Sequence, residues 1–464
     1  MNFLKSTVAL SALLLSACAS VGPDYQQPDA AQVNLAVNDN LSIGQYERQW
    51  WQRFDDPVLN QLVELALEHN QSLAAAQANI ERALAQFSDI DNDVWPSASA
   101  DLSYQNSKGQ QPGGSTQRVQ GRTYQGGVNV NWQLDLAGKL RRASESASAN
   151  AQAVQSDLHN LQVAIVSNLV SVYADFRGTQ HQLKVAKRNV ELLEELAKLV
   201  QIRQKEGLAS ELELTRIKAQ QSGVKASIEQ LNSTLKRKAY DLALLSGYRA
   251  NELPVTLGEQ EVPALNGPVA IGDAASLLLR RPDIQAAERR LAAVTADIGV
   301  ATAAFYPQLK VNGFLGFVTG QSSLITDNSS AWSVIPSISW QGLDWNSIKA
   351  QVAMANAQQR KVLADYRQQM LTAVNQAQSS LTAYSHSQNS LHHLSAHRQA
   401  SEKAMELATA QYRVGLTDLL SLLDTERSLL SAQDAYAQGQ TQVMKDLVAI
   451  YHAFGGAIGE VNKG

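Results

Sequence analysis

Landmark residues recur along this 464-residue chain at a nearly constant offset, and that recurrence limits what the chain can fold into. Asn70-Gln71-Ser72-Leu73 is answered by Arg281-Pro282-Asp283-Ile284, 211 positions later. Trp95-Pro96 is answered by Tyr306-Pro307 and Tyr240 by Tyr451, also at 211, while Trp132 and Asp135 are answered by Trp340 and Asp344 near 209 and Gly207 by Gly415 at 208. Landmarks kept in order over so long a stretch identify an internal duplication. The copies are read as 50–255 and 256–464, joined through the Pro/Gly-containing stretch from Tyr248 to Asp273. Each reads helix, strand, loop, strand, long helix, glycine break, returning helix.

The helical parts dominate. From Gly138 to Gln204 there is no proline, and only Gly178 interrupts the pattern. At ~1.5 Å rise per residue this predicts a helix on the order of 100 Å long. Leu183, Ala186, Val190, Leu193, Ala197 and Val200 keep the 3-4 spacing of a coiled-coil seam. Long helices are expected over 138–206, 208–247, 345–413 and 416–454. Charged residues make up only 18% and aromatics 6%, which suits helices packed through small side chains rather than an enzyme core.

Four strands interrupt the helices, about 97–105, 123–134, 308–318 and 331–340. In the second, Tyr124, Gly126, Val128, Val130, Trp132 and Leu134 alternate with Gln125, Gly127, Asn129, Asn131 and Gln133. Its length suits a tilted membrane strand of ~9–11 residues with one wet face. Trp95, Trp132, Trp332, Trp340 and Trp345 sit at or beside strand ends, as in interfacial aromatic girdles. The Gly/Gln/Ser-rich stretch from Asn106 to Gly121 is read as a loop. Four strands cannot close a barrel, and an open sheet in lipid leaves edge groups unsatisfied at several kcal/mol each. The strands must be shared between subunits; two chains give eight strands and three give twelve.

At the N-terminus, Lys5, the apolar run Val8 to Leu15 and Leu15-Ser16-Ala17-Cys18 read as an export signal over 1–17. The ending resembles the bacterial lipobox, with Cys18 as the acylated residue and 18–49 as a lipidated arm. Cys18 is the only cysteine, so no disulfide framework is available. Ala19, where an Asp would favour inner-membrane retention, points to the outer membrane.

The stretch YRVGLTDLLSLLDTERSLL from Tyr412 places a glycine break before a doubled leucine stripe, with Asp424 inside the stripe. Its counterpart is RQKEGLASELELTRIKAQ from Arg203, and the two are read as the constricted end of a tube. The net charge of −4 offers no basic footprint for nucleic acid. No phosphate-binding glycine loop or nucleophile elbow is present, so no enzyme is expected and no catalytic residue is assigned. His393 and His397 lie one helical turn apart, but the pair is read as an exposed face, and no metal site is expected. A lipid-anchored coiled-coil spacer would explain the helices but neither the strands nor the duplication.

Four motifs, Cys18 with VGPDYQQP, WWQRFDDPVLNQLV, RRPDIQAAERRLAAVTADIGVATAAFYP and GLTDLLSLLDTERSLLSAQ, are spread in order over almost the whole mature chain. With them the chain resembles the TolC/OprM-type outer-membrane factors, in their lipoprotein (NodT-like) branch. The resemblance implies a mainly α fold with a small transmembrane β part. Antiparallel coiled-coil helices would form an α-barrel, and a homotrimer would share a twelve-stranded outer-membrane β-barrel. It implies a passive exit duct of a tripartite efflux system, working with a periplasmic adaptor and an inner-membrane transporter of RND, MFS or ABC type. A duct for type I protein secretion is the nearest alternative. No cofactor is implied beyond the covalent lipid on Cys18. Asp424 falls on the family's pore-constriction position and Ser421 where a second acid stands in some members, so one acidic ring is expected. Gly207 and Gly415 match the tip turns, and Tyr412 and Glu213 match residues that link neighbouring coiled coils. Thr417 replaces the family's arginine.

Overall fold

The computed structural model describes residues 20–28, 41–42, 49–110, 118–263, 269–270, 280–320 and 327–456. The signal segment 1–17 and Cys18 lie outside the described residues. In order, the elements are a 3-10 turn at Trp50–Phe54, α1 (Pro57–His69), α2 (Gln71–Asn92), β1 (Ser97–Gln110), β2 (Arg118–Leu134), α3 (Lys139–Lys205) and α4 (Glu211–Leu245). There follow α5 (Pro282–Thr302), β3 (Gln308–Thr319), β4 (Ser330–Ser339), α6 (Trp345–Arg413) and α7 (Leu419–Ala453). Leu41–Ser42 also pairs in parallel with Val269–Ala270. The chain is predominantly helical with one small antiparallel sheet.

The duplication has a local physical basis. Asp135 Oδ1 and Oδ2 accept the Leu140 and Arg141 amides at 3.1 and 3.0 Å, capping α3, and Asp344 accepts the Ser347 amide at 3.3 Å to cap α6. Each satisfies amides that a helix start leaves orphaned. The tryptophan landmarks also do one job twice. Trp132 Nε1 donates to the Val94 carbonyl and Trp340 Nε1 to the Phe305 carbonyl, both at 3.1 Å, fixing strand ends to the ends of preceding helices. Tyr240 and Tyr451 have diverged. Tyr451 is buried and stacks on Trp50 with ring centroids 4.6 Å apart, whereas Tyr240 is exposed.

Two compact units contain these elements: one takes residues 1–29, 78–155 and 286–368, the other 30–77, 156–285 and 369–464. The first holds the sheet, the adjoining stretches of helix and the arm at 20–28. The arm is strapped down: the Val21 amide donates to the Ala137 carbonyl at 3.1 Å, and buried Arg142 donates to the Val21 carbonyl at 3.1 Å and Asp24 at 2.6 Å. Tyr25 donates its hydroxyl to Glu288.

The second unit is built on a core that includes Trp50, Leu59, Leu62, Leu169, Tyr173, Tyr451 and Phe454. Inside it Arg177, 0% exposed, donates to the Tyr173 hydroxyl at 2.9 and 2.7 Å, and Tyr173 donates to Asp56. Asp56 also caps α1 through the Val58 and Leu59 amides at 2.9 and 3.2 Å. A cation and an anion are thus joined through a phenol, which supplies the partners that buried charges require.

Two expectations are corrected. The stretch from Asn106 to Gly121 is not a loop throughout: β1 and β2 stay paired out to Gln110 and Arg118. The returning helices begin at Glu211 and Leu419 rather than next to their glycines, because Ser210 and Asp418 serve as N-caps.

Candidate functional site

The sheet runs β1-β2-β3-β4, antiparallel throughout. Cross-strand partners share a face, so the register sorts the side chains. One face carries Ala100, Leu102, Val128, Val130, Val311, Leu315, Trp332, Val334 and Ile338. It is apolar and open: Leu102 is 83% and Trp332 77% exposed. The opposite face carries Ser99, Asp101, Gln125, Asn129, Asn131 and Asn312, with Phe314, Val318 and Ile335 as its apolar members. Water would not tolerate so large a bare apolar face, whereas lipid would.

The apolar band has two borders. Tyr104 and Tyr124 pair with ring centroids 4.8 Å apart, and beyond them the same face turns to Asn106, Lys108, Gln120 and Arg122. At the other end stands Trp132. From Tyr124 to Trp132 is nine residues, the ~9–11 that a tilted strand needs to cross the hydrocarbon. The outer edges of β1 and β4 carry no partner strand among the described residues. No helix among those residues is long and apolar enough to cross a membrane.

The glycine turns lie in the second unit. Gly207 and Gly415 take φ of +74° and +80°, the left-handed conformation that glycine adopts without a Cβ clash. Past each, the helix restarts on a cap. Ser210 and Glu213 form a reciprocal capping box, and Asp418 accepts the Ser421 amide at 2.7 Å. That amide bond holds the Asp418 carboxyl below the usual range. Thr417 is half-buried just before this cap.

Asp424 and Ser421 are exposed on α7. Tyr412 is buried, its hydroxyl without a hydrogen-bond partner among the described residues. Burial, then the charge of Glu213, pushes its pKa up against the opposing pull of Arg203. Glu213 spends its carboxylate on the capping box rather than on a bond to Tyr412. The residue that does engage Tyr412 is Arg203 of the other repeat. It donates Nη1 to the Tyr412 carbonyl at 2.7 Å and lies 4.8 Å from the ring centroid.

A second residue outside the sequence expectations is Glu426, 0% exposed two positions after Asp424. It accepts from the Asn189 side-chain amide, and burial pushes its carboxyl up despite the lowering effects of that bond and of Arg427. Its signal was present: it occupies a seam position between Leu422 and Leu429 where the stripe predicts an apolar residue. His393 and His397 are exposed on α6, and no group of three or more His, Cys, Asp or Glu that could hold a metal occurs among the described residues.

A lipid-facing strand sheet joined to duplicated helices of 67 and 69 residues defines the class of outer-membrane channels, not a soluble catalyst. The chain belongs to the outer membrane efflux protein family, whose sequence model matches residues 62–248 and 274–456, one segment for each copy of the duplication. Among curated relatives, Nodulation protein T of Rhizobium leguminosarum bv. trifolii is 26% identical, covering 100% of this chain and 99% of its own. The probable outer membrane lipoprotein SilC of Salmonella typhimurium is 27% identical over 96% of each chain. The solved structure of the outer-membrane channel OprN is 40% identical, with a TM-score of 0.90, covering 94% of this chain and 99% of that one. The family comprises the outer-membrane channels of tripartite efflux systems, which are not enzymes.

Proposed function

We propose that this chain forms a trimeric, lipid-anchored exit duct that passively conducts drugs or other small toxic compounds across the outer membrane of a Gram-negative bacterium. The observation that carries the reading is the sheet: four strands with a lipid-facing apolar side and two edges awaiting partners. Three copies supply twelve strands, enough for a closed barrel with a passage, and closure satisfies the edge groups that lipid cannot. The long helices then continue as an α-barrel through the periplasm.

Acylation of Cys18 fits the arm. Ser20 packs directly against Gly138, just past the end of β2, so close that a Cβ on Gly138 would lie 2.5 Å from Ser20 Cα. Cys18 precedes Ser20 by two residues in the sequence. Leu208 and Leu416, 64% and 79% exposed at the two glycine turns, offer apolar contacts for a periplasmic adaptor. An inner-membrane transporter of RND, MFS or ABC type supplies the energy through that adaptor.

In the trimer Asp424 becomes a ring of three carboxylates at the constriction, with Ser421 adding no second ring. Like charges around a narrow axis attract cations. Gly207, Gly415, Tyr412, Glu213 and Thr417 form the surrounding gate region. The purified protein in detergent is expected to have the native mass of three chains, and a monomer would contradict the reading. Cys18→Ser is expected to abolish metabolic lipid labelling; labelling that persists would exclude the anchor.

A further inference from the structure

The seam of α7 contains a carboxyl where packing calls for a hydrocarbon. Glu426, fully buried, follows Leu422 and Leu423 on α7, and its partner Asn189 lies between Ala186 and Leu193 on α3; those four belong to one apolar cluster contributed by both repeats. Its Oε1 accepts from Asn189 Nδ2, while Asn189 Oδ1 is buried and without a partner among the described residues. Gln220 Nε2 reaches Oε2 at 3.5 Å, and Gln220 Oε1 accepts from Arg427 Nε at 3.1 Å.

This arrangement has one acceptor too many for an ionised carboxylate. Among the described residues the two carboxylate oxygens are met only by amide donors and Asn189 Oδ1 by none, and a buried acceptor without a donor is costly. A proton on Glu426 resolves the mismatch. The carboxyl O–H then donates to Asn189 Oδ1 while Asn189 Nδ2 donates back, giving a two-bond acid–amide pair. The charged groups around the site leave this balance in place. On α7 itself the neighbour is Arg427, engaged by Gln220; α3 presents the Asn189 amide and α4 the Gln220 amide. Glu194 and Lys225 of α3 and α4 are exposed and lie 3.7 Å from one another. From α6 the cluster receives Met405 and Tyr412, whose phenol burial pushes above its ordinary value.

We propose that Glu426 is a positioning residue for Asp424: protonated, it pairs with Asn189 and holds α7 against α3, and deprotonation breaks the pair and frees the turn that carries Asp424. The proposal rests on the reading of Asp424 as the constriction. Burial raises the carboxyl, so the packed arrangement is fully favoured in acid and loses that support as pH rises through the elevated value. Glu426→Gln keeps a neutral, hydrogen-bonding side chain of the same length at every pH.

The test uses the full-length oligomer in two arms. Infrared absorption at about pH 5 reports a protonated buried carboxyl, which is expected in the wild type and absent in Glu426→Gln. Identical spectra would overturn protonation. In planar bilayers, wild-type conductance is expected to rise several-fold between about pH 5 and pH 8, with Glu426→Gln holding the acid-side value throughout. A pH profile shared by both proteins would overturn the positioning role even if the infrared difference is seen. Absence of any wild-type conductance would overturn the channel reading and the positioning role with it, and the infrared arm would still decide the proton.

Discussion

Arg203 closes over Tyr412 across the duplication: its guanidinium donates to the Tyr412 carbonyl at 2.7 Å and lies 4.8 Å from the ring centroid. One contact gives the Tyr412 carbonyl, which already accepts the Gly415 amide at 3.1 Å, a second donor, places a cation at the negative end of the helix dipole and covers an aromatic face. The two coiled-coil ends are thereby tied through one side chain.

Arg203→Leu removes both interactions. The expected cost is about 1–2 kcal/mol at this half-exposed site. Cells carrying the variant in place of the wild type should become more permeable to large antibiotics normally excluded, and Arg203→Lys should recover part of the barrier. An unchanged barrier in Arg203→Leu would remove this tie from gating.

The Arg177–Tyr173–Asp56 relay makes a stability prediction. Tyr173→Phe deletes one oxygen and leaves a fully buried guanidinium and a buried carboxylate without their shared partner. Arg177 keeps Gln180, Gly258 and Gln260 and Asp56 keeps the Val58 and Leu59 amides, so the loss is that of buried hydrogen bonds, about 1–3 kcal/mol. Limited proteolysis should show faster cleavage near α1 and α3, and wild-type resistance would show that the relay is replaceable.

Acid should weaken the second unit in two stages. Burial, and then the Arg281 charge, push His452 below its ordinary value, so its contribution is present above about pH 6.5 and is lost as pH falls through the lowered value. For Asp283 burial acts upward, but hydrogen bonds from Arg281 and Gln369 outweigh it and hold the carboxyl low. Its contribution persists further, until pH falls through that depressed value. Intrinsic fluorescence against pH should show a first loss removed by His452→Gln. A transition unmoved by that change would reject the assignment.

The glycines separate strain from collision. A Cβ at Gly415 would meet nothing within 4 Å, so Gly415→Ala should cost only the left-handed backbone, about 1–2 kcal/mol. At Gly22, φ is +93° and a Cβ would lie 2.5 Å from Gly299 Cα. Gly22→Ala should therefore detach the arm, making residues 20–28 sensitive to protease while Gly415→Ala leaves them protected.

The parts legible in the sequence were those with a period. The seam marked α3 and α7, and alternation marked β2 between Tyr124 and Leu134. The apolar alternation ends at Tyr104 and Tyr124, so the polar continuation of β1 and β2, with Asn106 opposite Arg122 and Gln110 opposite Arg118, read as loop. Backbone pairing there does not depend on an apolar face. The Tyr412 carbonyl contact was out of reach because Arg203 lies 209 residues away in sequence. Asp424 and Glu426 show the same limit at close range. Two acids of one helical turn diverge, the first exposed and the second buried, according to a neighbour, Asn189, from the other repeat.

In the proposed trimer, copies of this chain enclose a conducting pore narrowed at Asp424. Single-channel recording of the purified oligomer in planar bilayers measures that pore. Discrete conductance is expected, blocked by divalent cations from the side bearing the glycine turns, with the block weakened several-fold in Asp424→Ala. No conductance, or a block that Asp424→Ala leaves unchanged, would contradict it.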